Sequence, residues 1–281
     1  MPELPEVETI RRQLARRLPG RRIVAVSVED PLLVAPLTPP DVAGDLEGRT
    51  IVRVHRRGKY LLLRLDDGDD LAVHLRMTGR LHHSDATPVD ERFRRAVIGL
   101  DDGSHLTFSD QRRFGRLWRV PAGPAHWRGR VGVEPLGGAF TAARLGELLE
   151  GRRAPVKASL LDQRLIAGIG NIYADEALFT ARIHPRRTGG SLSPQEVRRL
   201  HRAIRASLRA GIAAGGASID SYRDTLGRRG TMQDALRVHL HAGEPCRRCR
   251  APILKIRVAQ RGTYVCPRCQ PCLLYTSDAA D

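Results

Sequence analysis

Apolar residues at Val7, Ile10, Leu14 and Leu18 recur at the spacing that lines one face of a helix. This predicts a helix over 4–18, with Pro5 in the first turn, where its missing N–H costs nothing. From about residue 22 the period changes to two. Val24, Val26 and Val28 alternate, and similar short runs follow at 51–54, 60–65, 71–75, 96–100, 105–108 and 116–120. Asp67-Gly68 and Asp102-Gly103 stand between such runs as hairpin turns. Several short strands with tight turns predict a β-sandwich or barrel of about eight strands. Pro121 to Phe140 is rich in Pro and Gly and lacks a period, which places a domain linker there. Helical spacing then predicts helices over 141–150, 156–163, 172–183 and 194–214. Ser193-Pro194 opens the last of these in N-cap and N1 order, and Gly215-Gly216 ends it. Residues 217–237 are polar and weakly periodic and predict a mobile loop, and a small separate unit spans Cys246 to Cys269.

The 281 residues give room for two modest domains with real cores. No apolar run approaches eighteen residues and no leader-like segment opens the chain, so neither export nor membrane spanning is expected. Charge changes the picture. Lys and Arg number 47 against 31 Asp and Glu, a net +16 that favours an anionic partner, nucleic acid being the common one. Residues 1–151 hold 24 basic and 21 acidic side chains, whereas 152–270 hold 23 and 8. An excess so concentrated points to a polyanion-binding module in the C-terminal half. Lys59, Lys157 and Lys255 are the only lysines in an arginine-dominated chain, which raises the question of why a compact ammonium stands at each.

Cys246-x-x-Cys249 and Cys266-x-x-Cys269 form two knuckles able to close a tetrahedron around one Zn²⁺. Two disulfides would use the same residues, but nothing else suggests an oxidising compartment. With four sulfur ligands the zinc is structural and leaves no position for an activated water. At the other end, removal of Met1 would expose a secondary amine at Pro2. An α-amino group titrates near 7.7–8.0 against about 10.4 for Lys, so roughly a tenth is neutral at pH 7 and available as a nucleophile. Glu3 and Glu6 follow at once, where they also complement the helix dipole.

Together these residues carry a resemblance. Met1-Pro-Glu-Leu-Pro-Glu-Val-Glu-Thr9, Arg57-Gly-Lys59-Tyr-Leu-Leu-Leu63, Asp110-Gln-Arg112-Arg113-Phe114-Gly115 and Gly168-Ile-Gly170-Asn171-Ile-Tyr-Ala-Asp-Glu176 resemble motifs of the formamidopyrimidine-DNA glycosylases. The four-cysteine hairpin with Ala259-Gln-Arg261-Gly-Thr263 is similar too, and the match runs in order from Pro2 to about Gln270. The resemblance implies an α+β fold: an N-terminal catalytic β-sandwich with a leading helix (1–130), a helix–two-turns–helix DNA-binding domain (131–240) and a zinc finger (241–270). Residues 271–281, which include Cys272, lie beyond the family's usual end and are expected to be a disordered tail.

It also implies a bifunctional glycosylase and abasic-site lyase, a monomer acting in the bacterial cytoplasm on double-stranded DNA that contains an oxidised purine. Pro2 would attack the anomeric carbon of a flipped nucleotide, Glu3 would act as acid and base, and Glu6 would support the N-terminus. Lys59 matches the proton donor of β-elimination. Arg261 matches the residue of δ-elimination, and a guanidinium suits a donor to the leaving phosphate. Met77, Arg112 and Phe114 match the residues that fill the gap a flipped base leaves. Met77 and Phe114 could also be ordinary core residues. His74, Arg152, Lys157 and Asn171 match DNA contacts, although a strand histidine can be purely structural and Asn171 could be a plain N-cap.

Some positions depart from the family pattern. Arg76 stands where Gly is usual, Gln111 where Pro is usual, and Phe93 near where a His is common; His239-Leu240-His241 replaces Tyr-Gly-Arg. The segment 217–230, which closes over the lesion in the family, gives no base specificity. A pyrimidine-directed enzyme of the endonuclease VIII type and a non-catalytic zinc protein are the alternatives; Leu4-Pro5 and the Arg112–Phe114 wedge favour the purine class, and Pro2, Glu3 and Lys59 favour an enzyme.

Overall fold

The computed structural model describes residues 1–85, 92–121, 123 and 125–272, so 273–281, most of the expected tail, lie outside the described residues. The chain divides into two compact units, Met1–Arg128 with Gly211–Gln233, and Gly129–Ala210 with the residues from Asp234 onward.

In the first unit, helix α1 (Leu4–Leu14) opens on a capping box in which the Glu3 and Glu6 side chains satisfy each other's backbone N–H groups. It ends four residues before the predicted limit, but Leu18 remains buried beside Val7, Ile10 and Leu14 as the spacing required. Strands β1 (Ile23–Val28), β2 (Ile51–Arg57), β3 (Tyr60–Leu65), β4 (Asp70–His74), β5 (Arg80–Ser84), β6 (Arg94–Leu100), β7 (His105–Ser109) and β8 (Arg116–Val120) form two antiparallel four-stranded sheets. Their orders are β1-β6-β7-β5 and β2-β3-β4-β8. Leu61, Leu63, Leu65, Leu71 and Val73 of one sheet and Ala96, Ile98, Leu100, Leu106 and Phe108 of the other share a single apolar core with α1. Of the sandwich and the barrel that the period-two runs leave open, this is the sandwich.

Two elements escape the sequence pattern. β5 has one apolar residue, Leu81, and alternates through a buried His83 instead. Helix α2 (Pro39–Leu46) is masked by its prolines, although Thr38 and Asp41 form a second capping box. The segment 217–233 also differs from the mobile loop expected: it is hydrogen-bonded along its length. Gln13 accepts from Thr225 N and Oγ1 at 3.0 and 2.7 Å and donates to Asp224 at 2.8 Å. Ser218 and Thr225 are fully buried, and Tyr222 joins the sandwich core. Although 131–240 was expected as one domain, 211–233 belongs by its contacts to the first unit.

The second unit contains helices α3 (Ala142–Leu149), α4 (Val156–Leu161), α5 (Asn171–Ala181), most of α6 (Pro194–Ala213) and α7 (Met232–Ala235, whose last two residues belong here), followed by the hairpin β9 (Leu254–Val258) and β10 (Arg261–Val265). α5 is buried almost all round, Asp175 and Glu176 included. Glu176 answers its burial by accepting the N–H groups of Arg237, Val238 and His239, each at 3.0 Å.

Candidate active site and nucleic-acid interface

The first unit gathers eight of the expected residues, Pro2, Glu3, Glu6, Lys59, His74, Met77, Arg112 and Phe114. Pro2, Glu3 and Glu6 are buried at the start of α1, behind an exposed Met1. Glu6 Oε2 accepts from Glu3 N at 2.8 Å and Oε1 accepts from Ala217 N at 2.7 Å, so one carboxylate spans 211 positions of sequence. Gly216 is required there: its φ is +89°, and a Cβ would approach Glu6 Cγ to 2.9 Å. Lys59 is the second residue of the β2–β3 turn and is 6 % exposed. Arg56 ties that turn to α1, donating to Gly58 O at 2.7 Å and to Glu8 at 3.2 Å.

His74 ends β4, buried against the edge of Tyr60 with ring centroids 4.7 Å apart. Burial, with the Arg76 and Lys59 charges adding to it, pushes its pKa down to about 3. The ring is therefore neutral, and Nδ1 accepts from Arg76 N at 3.0 Å, which leaves the proton on Nε2. Arg76 itself has φ +52°, a left-handed conformation in which glycine would be unstrained.

The residues expected to form the wedge sit on braced loops. Phe114 is 48 % exposed and Met77 half-buried, which removes Phe114 from the core. The Arg112 guanidinium lies 4.8 Å from the Phe114 ring centre. Beneath them is a carboxylate the sequence did not single out. Asp110, 1 % exposed, accepts from Thr78 Oγ1, from Arg112 N at 3.2 Å and from Gly115 N at 2.7 Å, joining the Met77 loop to the Arg112–Phe114 loop. Arg113, at φ +57°, is fixed by a two-pronged bond to Asp30 at 2.7 and 2.8 Å, which holds the Asp30 carboxyl below the usual carboxylate range.

The second unit carries Arg152, Lys157, Asn171, Arg261 and the four cysteines. Arg152 is half-buried and spends its Nε on Leu148 O at 2.7 Å, at the end of α3. Gly170 is the N-cap of α5 and Asn171 its first residue, so Asn171 is not the cap. Its Nδ2 donates to Gly262 O at 2.9 Å. The Gly168–Gly170 turn is held by Gln163, whose Oε1 accepts from Gly168 N at 2.8 Å and whose Nε2 donates to Ile169 O at 2.7 Å. Gln163 thereby fixes the turn that leads into the N-terminus of α5. Lys157 departs from the expected DNA contact. It has no exposed surface, and its ammonium donates to Asp175, Thr263 Oγ1 and Gly262 O at 2.7, 2.8 and 3.3 Å. Arg261 is exposed, just after the left-handed pair Ala259 and Gln260 at the hairpin tip.

Cys246, Cys249, Cys266 and Cys269 bring their four Sγ atoms within 4.8 Å of one another. Zn–S bonds of ~2.3 Å in a tetrahedron put sulfurs about 3.8 Å apart, and the Cys246–Cys269 and Cys249–Cys266 separations are 3.9 and 3.4 Å. The Ala251 backbone N–H lowers the Cys249 thiol to about 7, while burial raises Cys266 to about 12. Thiols this close ionise together only around a cation, and the set fits one structural zinc.

Three sequence profiles of known families match the chain: the formamidopyrimidine-DNA glycosylase N-terminal domain over residues 1–117, the formamidopyrimidine-DNA glycosylase H2TH domain over 131–223, and the zinc finger found in FPG and IleRS over 243–271. A formamidopyrimidine-DNA glycosylase of Chloroflexus aurantiacus is 48 % identical over 96 % of this chain and 98 % of its own. One of Symbiobacterium thermophilum is 49 % identical over 96 % and 90 %. Among solved structures, a Lactococcus lactis FPG variant in complex with a Fapy-dG containing DNA superposes with a TM-score of 0.90 at 36 % identity, covering 96 % of this chain and all of the other. No helix among the described residues is long and apolar enough to cross a membrane.

Proposed function

Since the chain belongs to the formamidopyrimidine-DNA glycosylase family, we propose that it excises oxidised purines, 8-oxoguanine and formamidopyrimidines among them, from double-stranded DNA in base excision repair and then cleaves the abasic strand. The observation that carries the reading is the start of α1, where Pro2, Glu3 and Glu6 are buried together and Glu6 holds the Glu3 backbone. In this reading the Pro2 amine, freed of Met1, attacks C1′ of the flipped nucleotide. The glycosidic bond breaks with its electron pair going to the base, and Glu3 delivers a proton to the opening sugar ring. The resulting iminium acidifies C2′–H. Loss of that proton and rupture of the C3′–O bond give β-elimination, in which Lys59 supplies the proton to the leaving side. In δ-elimination a proton leaves C4′ and the C5′–O bond breaks, the electron pair going to a phosphate that Arg261 stabilises as a donor.

The neutral His74 offers an N–H from Nε2, and Met77, Arg112 and Phe114 fill the vacated stack. Arg152, Asn171 and the α5 N-terminus bear on phosphates. Lys157 is buried, so in this reading it acts on DNA only through the hairpin it holds. The chain works as a monomer on the nucleoid in the cytoplasm, and the basic excess of 152–270 supports DNA as the partner. Borohydride trapping on an abasic duplex tests the chemistry. The chain should become covalently joined to DNA, and one extra residue before Pro2 should abolish both the adduct and nicking while binding persists. Normal nicking by the blocked chain would place the nucleophile elsewhere.

A further inference from the structure

Beneath the hairpin that carries Arg261 lies a buried polar chain that the proposed reaction does not use. Asp175 of α5 and Lys157 of α4 pair at 2.7 Å with neither side chain exposed. The other carboxylate oxygen of Asp175 takes His239 Nδ1 at 2.8 Å and Tyr264 N at 3.4 Å. A carboxylate only accepts, so Nδ1 of His239 carries the proton. Lys157 passes the connection on to Thr263 Oγ1 and Gly262 O, and the Thr263 hydroxyl donates to Arg261 O at 3.0 Å. Three acceptors around one nitrogen suit an ammonium and not a planar guanidinium, which explains a lysine at this position of an arginine-rich chain.

A fully buried ion pair is a poor source of stability, because desolvation offsets its attraction. Here every bond of the chain ends on the backbone of 261–264 or on a group that touches it. The tip before Arg261 is made of two left-handed non-glycine residues, Ala259 and Gln260, a conformation that persists only where its surroundings enforce it. We propose that Asp175, Lys157 and His239 are positioning residues for Arg261, and that they set how far strand cleavage proceeds from the β- to the δ-product. The proposal rests on the role given above to Arg261.

The test uses the zinc-loaded full chain on a duplex with a preformed abasic site, with β- and δ-products resolved on a gel. Base release from an 8-oxoguanine duplex, zinc content and thermal midpoint are measured alongside. Arg261→Ala sets the δ-fraction expected without the guanidinium. His239→Leu should lower the δ-fraction by about tenfold, less than the ~100-fold a 1 Å misplacement can cost, with base release and zinc unchanged. His239→Asn, which returns an N–H at the Nδ1 position, should restore it, and Asp175→Asn should act like His239→Leu. A wild-type δ-fraction in both His239→Leu and Asp175→Asn would overturn the proposal. Loss of zinc and of base release in parallel with the δ-fraction would overturn it too, since that marks a purely structural role. If Arg261→Ala leaves the δ-fraction intact, the role of Arg261 falls and the proposal falls with it. A drop in Arg261→Ala alone refutes only the positioning.

Discussion

Asp110→Asn is the substitution that most directly tests whether the wedge is pre-set. The carboxylate is almost wholly buried and answers three donors, Thr78 Oγ1 and Arg112 N on one oxygen and Gly115 N on the other. An asparagine has one acceptor oxygen. Turned toward Thr78 and Arg112, it places its NH₂ against the Gly115 N–H; turned the other way, it opposes Arg112 N. Either choice removes a hydrogen bond to a charged acceptor and leaves a donor unmatched, about 3 kcal/mol together. Relief by movement of Gly115 is blocked, because even a Cβ there would come within 2.5 Å of the Phe108 ring. At roughly 2–4 °C per kcal/mol for a unit of this size, melting of the first unit should fall by about 6–12 °C. The functional cost is separable. A stacked aromatic is worth ~1–3 kcal/mol per base, so affinity for a lesion duplex should drop between about 5- and 150-fold, while affinity for undamaged duplex should change little. Calorimetry and fluorescence anisotropy on the two duplexes give both numbers. An unchanged midpoint, or equal losses on damaged and undamaged DNA, would refute the bracing argument.

Burial of His74 depresses its folded pKa to about 3 against an ordinary value of 6.5, so between these limits the unfolded chain binds the extra proton. Stability should therefore fall as pH drops below 6.5, by about 1.4 kcal/mol per unit from this group, and the melting midpoint of His74→Gln should depend less on pH over that window. Arg76→Gly relieves a left-handed arginine without removing the backbone bond to His74; a gain of about 1 kcal/mol is expected by denaturant titration, and a loss would show that the Arg76 side chain holds the turn. Chelation should release one zinc per chain and dissolve the β9–β10 hairpin. Both tryptophans, Trp118 and Trp127, lie in the first unit, so their emission should stay constant, and a red shift on zinc removal would contradict the prediction.

Periodicity was enough to read most of the sandwich and the long helices, because apolar side chains decide those elements. β5 was invisible because a buried histidine replaces an apolar residue, and α2 because prolines at its start read as a break. The site divided along a similar line. Pro2, Glu3, the cysteines and the wedge loops carry local motifs. Asp110, Asp175 and Glu176 act through partners on distant segments, and spacing cannot reveal that. One signal was available: between Asn171 and Thr180, α5 is apolar except for two adjacent acids and a tyrosine, and acids in such a helix must find donors within the fold.

The bond from Glu6 to Ala217 has a consequence in time. At ~5–20 residues per second of synthesis, about 10–40 s separate the emergence of the amino terminus from that of the segment that completes its surroundings. Until then the bond from Ala217 to Glu6 cannot form, and the sandwich core lacks Tyr222. The start of α1 packs on early-made strands, but its tie to Ala217 forms only late in synthesis. For the Pro2 chemistry proposed above, this order leaves time for Met1 to be removed before a segment more than two hundred residues downstream arrives to bond Glu6.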